Sequence, residues 1–182
     1  MIKRFTFGPP PPAGPPVLRA VTCRAIPELS DPGCPHDQIT IEWFADRSPD
    51  PGAGPIVVAG EQIVRGARWL AGRWRDGGDT VKHIALATRA AGLTQAEFSR
   101  RWRSHAGTVG TTPIPGAARG LAYVQNHPVP GDWPYDAINE VYFDDVDGLT
   151  ARVEWFRANV PDPADGVLFG RSWLIAVREV IA

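Results

Sequence analysis

A chain of 182 residues can bury roughly 70% of the surface its unfolded form exposes, so a core forms without a disulfide or metal staple. Nineteen basic side chains against twenty acidic ones leave a formal charge of −1, which excludes the basic footprint of a nucleic-acid binder. No run reaches the ~18 apolar residues of a membrane helix, and Met1 to Pro12 holds no apolar stretch of signal-peptide length, so a cytoplasmic protein without a membrane partner is expected.

Proline and glycine clusters at Gly8 to Pro16, Pro32 to Pro35 and Pro49 to Pro55 divide the first half into extended runs over Ile2 to Phe7, Val17 to Ile26 and Gln38 to Phe44. Pro55 to Ala59 is apolar and β-branched, and Glu61 to Arg75 carries Ile63, Val64, Ala67, Leu70, Ala71 and Trp74 at helical spacing. In the second half Val81 to Thr88 reads as a strand, and Thr94 with Glu97 forms a capping box that opens a helix running to about Ser104. Strands near Gly120 to His127 and Ala137 to Asp144, a helix over Val146 to Ala158 and a strand over Ser172 to Ile181 complete a βαββαβ order. That order predicts a ferredoxin-like α+β unit.

The halves also resemble each other. Ile2-Lys3-Arg4 matches Val81-Lys82-His83 at an offset of 79, and the run from Asp37 to Asp46 matches Asp136 to Asp145 at an offset of 99. The shortfall of about a helix and its loop indicates that the first copy has lost its first helix, with Gly8 to Pro16 as a polyproline bridge. The expected architecture is two ferredoxin-like units, residues 1–78 and 79–182, fused into one pseudo-dimeric α/β barrel with antiparallel sheets and helices outside. Such a chain is a monomeric pseudo-dimer or a homodimer.

Cys23 and Cys34 are too few for a disulfide framework and read as free thiols. Histidines 36, 83, 105 and 127 are scattered, so no metal site is predicted; no glycine-rich phosphate loop or nucleophile elbow supports another enzyme class, and no cofactor is expected. Arginine outnumbers lysine seventeen to two, which reads as compositional bias without functional weight.

From Val81 onward the chain resembles the EthD domain, a branch of the dimeric α/β-barrel superfamily. The matching stretches are Val81 to Leu86, Leu93 to His105 with its Phe-x3-Trp-x2-His pattern, and Tyr123-Val124-Gln125-Asn126-His127. The resemblance implies two units pressing their sheets around a cavity, and relatives that include cofactor-independent polyketide cyclases and small monooxygenases. It also implies an acid or base role for His83 on the first strand.

Strand alternation puts His83, Ala85 and Ala87 on one face and Ile84 and Leu86 on the other. The small-residue face is expected to border the cavity and the branched one the helices. By the same reasoning the lining comprises Arg4, Ile39, Ile41, Trp43, Leu121, Gln125, His127, Ile138 and Tyr142. His83, Tyr123, His105 and Glu140 are the candidate catalytic groups. Structural alternatives stand beside each: a buried histidine at 83, a buried structural tyrosine at 123, a helix cap at 105 and a salt bridge at 140, with a rim position for His127. The function expected is a cofactor-free cyclase or dehydratase acting on an apolar polyketide-like carbonyl substrate. The alternatives are a cofactor-free monooxygenase and a non-catalytic binder of small molecules.

Overall fold

The computed structural model describes residues 1–9, 17–45, 54–76, 80–104, 108–109, 112–160 and 167–181. Strands β1 (Ile2–Phe7), β2 (Arg19–Ala25), β3 (Gln38–Phe44) and β4 (Ile56–Arg65) are followed by helix α1 (Ala67–Asp76). Then come β5 (Thr80–Arg89), α2 (Gln95–Trp102), a two-strand ribbon of β6 (Thr108–Val109) and β7 (Thr112–Pro113), and α3 (Gly116–Arg119). Strands β8 (Ala122–Pro128) and β9 (Ala137–Phe143), helix α4 (Val146–Asn159) and β10 (Phe169–Ile181) end the chain. Among the described residues no helix is long and apolar enough to cross a membrane.

The eight long strands form one closed antiparallel barrel in the order β1-β3-β2-β10-β5-β9-β8-β4. This corrects the expected α+β architecture of two ferredoxin-like units with helices outside. The edges that two separate sheets would leave are joined, β2 to β10 from Val21↔Ile181 to Ala25↔Val177 and β4 to β8 from Ala59↔Pro128 to Arg65↔Tyr123. Closure removes every free edge and leaves few helices around a continuous sheet. The polyproline bridge lies outside the described residues.

Helix α1 is shorter than its sequence pattern. Ile63 and Val64 belong to β4, whose β-branched run Ile56-Val57-Val58 carries the strand onward, and Gly66 at φ +79° makes the turn into the helix. Leu70 packs with Ala122, Val124 and Tyr142, and Trp74 meets the Trp43 ring edge-on, so α1 caps one end of the barrel. The other end is closed by His36 and Tyr135, which share a 2.6 Å hydrogen bond beside Phe7 and Trp173. They precede β3 and β9 at the 99-residue offset of the internal repeat.

The barrel interior is filled. Phe5, Phe7, Ile39, Ile41, Trp43, Val57, Ile84, Leu86, Ile138, Ile175 and Val177 form one buried apolar cluster. Below it lies an ion network: Lys3 Nζ contacts Glu140 Oε1 at 2.5 Å and Glu61 Oε1 at 2.8 Å, and Lys82 Nζ contacts Glu140 Oε2 and Glu179 Oε1, both at 2.7 Å. Arg19 extends it to the rim, 3.3 Å from Glu179 and stacked between Trp43 and Trp74. Lys3 pairs across the sheet with Trp43 and Lys82 with Tyr142, so the two lysines hold equivalent places in the two halves with Glu140 between them.

Candidate functional site

The filled interior overturns the expected cavity between two sheets, and the sequence-predicted lining divides accordingly. Ile39, Ile41, Trp43, Ile138, Glu140 and Tyr142 do point inward, but as packed core. Strand β5 runs opposite to its predicted facing: Lys82, Ile84 and Leu86 point into the barrel, and His83, Ala85 and Ala87 point outward. A closed barrel needs bulk inside, and alanines are what helices packed close on the outer face allow. Tyr123, Gln125 and His127 face outward as well, against β9 and α2. Arg4 is outward in the first half, paired with Glu42 at 2.7 Å, and Leu121 is exposed just before β8. His105 lies outside the described residues.

Glu140 does not act as an acid. Burial would raise its carboxyl, but the ammonium groups of Lys3 and Lys82 override burial and hold it below the usual carboxylate range. Tyr142 donates to Glu140 Oε2 at 2.8 Å, and Asn126 Nδ2 donates to Oε1 at 3.0 Å. Burial and then Glu140 push the Tyr142 phenol well up, and burial pushes the Cys23 thiol to about 12. Glu140 therefore stays ionised and Tyr142 and Cys23 stay protonated near neutral pH. Cys23 and Cys34 are both free thiols, Cys23 buried and Cys34 partly so.

The outward residues converge elsewhere. Leu149, Val153 and Phe156 of α4 pack as the buried face of that helix, and Arg152 lies on the same stripe. Its Nε donates to His83 Nδ1 at 2.9 Å, its Nη1 donates to the Ala118 carbonyl at 2.7 Å, and its guanidinium lies 4.3 Å over the Phe156 ring. A guanidinium only donates, so Nδ1 is the acceptor nitrogen and the neutral His83 ring carries its proton on Nε2. That Nε2 is buried without a hydrogen-bond partner. Burial first, then the charge of Arg152, holds the His83 pKa well below 6.5, so the ring is neutral at pH 7.

One strand over, Tyr123 donates to Asn139 Oδ1 at 3.1 Å and accepts from Gln125 Nε2 at 3.2 Å, while Gln125 Nε2 also bonds the Trp102 carbonyl at 3.1 Å. Burial raises the Tyr123 phenol, which stays protonated. Farther along β8, His127 Nε2 lies 3.1 Å from Gln62 Oε1, an acceptor, so the lone pair sits on Nδ1. Burial and then Arg103 lower His127 to about 4. The sheet beneath is small and open: Ala85, Asn139, Tyr123 and Leu174 keep some exposure, while Ala87 is sealed with Phe98 and Trp102. This face between the sheet and helices α2, α3 and α4 holds a buried imidazole N–H, a partly exposed phenol and a buried cation, with the His127 Nδ1 lone pair buried farther along β8.

A separate cavity of about 410 Å³, lined by Thr88 to Leu93, Gly131 to Pro134 and Asp136, has its main charges paired as Arg89 with Asp136. Among the described residues no group of three or more His, Cys, Asp or Glu is placed to hold a metal ion. Arg152 and Asn139 were missed by sequence reasoning. The signal for Arg152 is its position on the apolar stripe of a helix, three residues after Leu149 and four before Phe156, where an arginine needs a reason.

Comparison with protein-family models, with curated proteins and with solved structures gives no match for this chain.

Proposed function

We propose that the protein is a cofactor-independent cyclase or dehydratase that enolises an apolar, carbonyl-rich, polyketide-like substrate on the outer face between β5, β8 and α4. The observation that carries this reading is the His83–Arg152 pair: a neutral imidazole whose Nε2–H is buried with no partner among the described residues, backed at 2.9 Å by a buried guanidinium, so that a substrate carbonyl engages it by displacing the side chains that cover it. A carbonyl oxygen accepting from Nε2–H gains negative charge as its α-proton leaves. The guanidinium behind the ring stabilises that charge where water is excluded, and one such donor is worth about 10²–10³ in rate.

His83 therefore polarises the carbonyl and does not abstract the proton. The α-proton passes to solvent water at the partly exposed edge of the face, and the proton for a departing hydroxyl comes from Tyr123, level with His83 across β9 and held between Gln125 and Asn139. The EthD-like stretches of the sequence contribute β5, α2 and β8 to this face, which supports treating the resemblance as one of chemistry.

The test is exchange of the α-protons of benzoylacetone in D₂O, followed by NMR. The protein accelerates exchange over buffer, and His83→Ala lowers the enhancement by about 10²–10³-fold with an unchanged melting temperature. Absence of acceleration with intact binding makes the protein a non-catalytic binder. A product that forms only when oxygen is present assigns a monooxygenase.

A further inference from the structure

Three arginines surround the Tyr123 end of this face, and no carboxylate pairs with any of them among the described residues. Among the described residues Arg152 bonds His83 and the Ala118 carbonyl. Arg65, from the end of β4, donates through Nη2 to the carbonyls of Arg119 and Gly120, and Arg119 donates through Nε to the Ile114 carbonyl at 2.7 Å. Main-chain carbonyls satisfy donors without neutralising charge.

The three cations also act on one another. After burial, Arg65 is the group that lowers Arg152, to about 10, and Arg119 is the group that lowers Arg65. Arg152 is only 8% exposed, and a buried charge without a counter-ion is unfavourable unless something compensates it. The interior of the same protein pairs its buried lysines with three glutamates, whereas no carboxylate among the described residues pairs with the arginines of this face. Nη2 of Arg152 has no protein partner among the described residues and is not among the sealed atoms.

We infer that the face binds an apolar, planar molecule carrying a carboxylate, with the carboxylate held by Arg152 and Arg65 and the apolar body lying over Ala85 toward Trp102. The inference rests on the proposed site and adds the charge of its ligand. Carboxylate fits better than a small inorganic anion, because the guanidinium of Arg152 is stacked on Phe156 and the surrounding side chains Ile114, Trp155 and Leu174 are apolar.

The experiment compares binding of 2-naphthoate, its neutral isostere 2-naphthamide and inorganic phosphate to the full chain by calorimetry. Naphthoate binds at least ~10-fold more tightly than the amide, and phosphate at millimolar concentration does not displace it. Arg152→Met brings the naphthoate-to-amide ratio to about one and leaves the melting temperature equal or higher, since it removes an uncompensated buried charge. Arg65→Gln lowers the ratio several-fold and serves as the second variant if Arg152→Met does not fold. Equal binding of acid and amide, no binding of either, displacement by phosphate, or a ratio unchanged in both variants overturns the inference. Loss of α-proton exchange with the naphthoate preference intact sinks the proposed reaction alone, and the converse result sinks the anion site alone.

Discussion

Lysine occurs twice in this chain, at 3 and 82, and both ammonium groups are fully buried against carboxylates. A compact ammonium fits between Glu140 and its neighbours where the wide guanidinium fork would not. Glu140 is the shared partner, so Glu140→Gln leaves two buried ammonium groups with one carboxylate contact each and is expected to cost about 3–5 kcal/mol in a denaturant melt at pH 7. The pH dependence has a definite sign. The folded carboxyl sits below its unfolded value of roughly 4.3, so its contribution is present above that pH and is lost as pH falls through the folded value. Acid titration of stability is expected to be steeper for the native protein than for Glu140→Gln, with the two curves converging below about pH 4. Parallel curves would show that Glu140 is not held by the lysines.

At the scale of elements, β5 separates two environments along one outward row. Ala87 is 4% exposed and packed with Phe98, Trp102 and Ala137, whereas Ala85 is only half-buried, as are Asn139 and Leu174 paired with it across the sheet. Ala87→Leu is therefore expected to cost about 1–3 kcal/mol by overpacking. Ala85→Leu should leave the melt nearly unchanged while blocking naphthoate binding. Equal stability losses at both positions would mean that no ligand space exists over β5. The capping box of α2 was legible from four residues: Thr94 accepts from Glu97 N at 3.2 Å, and Glu97 Oε2 accepts from Thr94 N at 3.0 Å. The facing of β5 was not, because Lys82 and His83 are both polar and alternation alone does not say which one enters the barrel. Only the partners Glu140 and Glu179, 58 and 97 residues away, decide it.

For the whole molecule, closure makes the two halves interdependent. Residues 1–78 and 79–182 each end in strands whose partners lie in the other half, through β2–β10 and β4–β8. The ion network crosses the same boundary, since Lys3 reaches Glu140. Each half expressed alone is expected to lack a cooperative thermal transition, and mixing the two should restore one. A cooperative melt from either half alone would mean that the barrel is two domains. The sequence by itself determined most strand positions, the cap of α2 and the alternation that groups His83 with Ala85 and Tyr123 with Gln125 and His127, because these follow from local periodicity and hydrogen-bonding chemistry. Only the tertiary structure decided that the sheets close into one barrel, that the interior is filled and charged, and that Arg152 stands behind His83. Those depend on contacts between residues far apart in the chain, where local patterns specify a face but not what it meets.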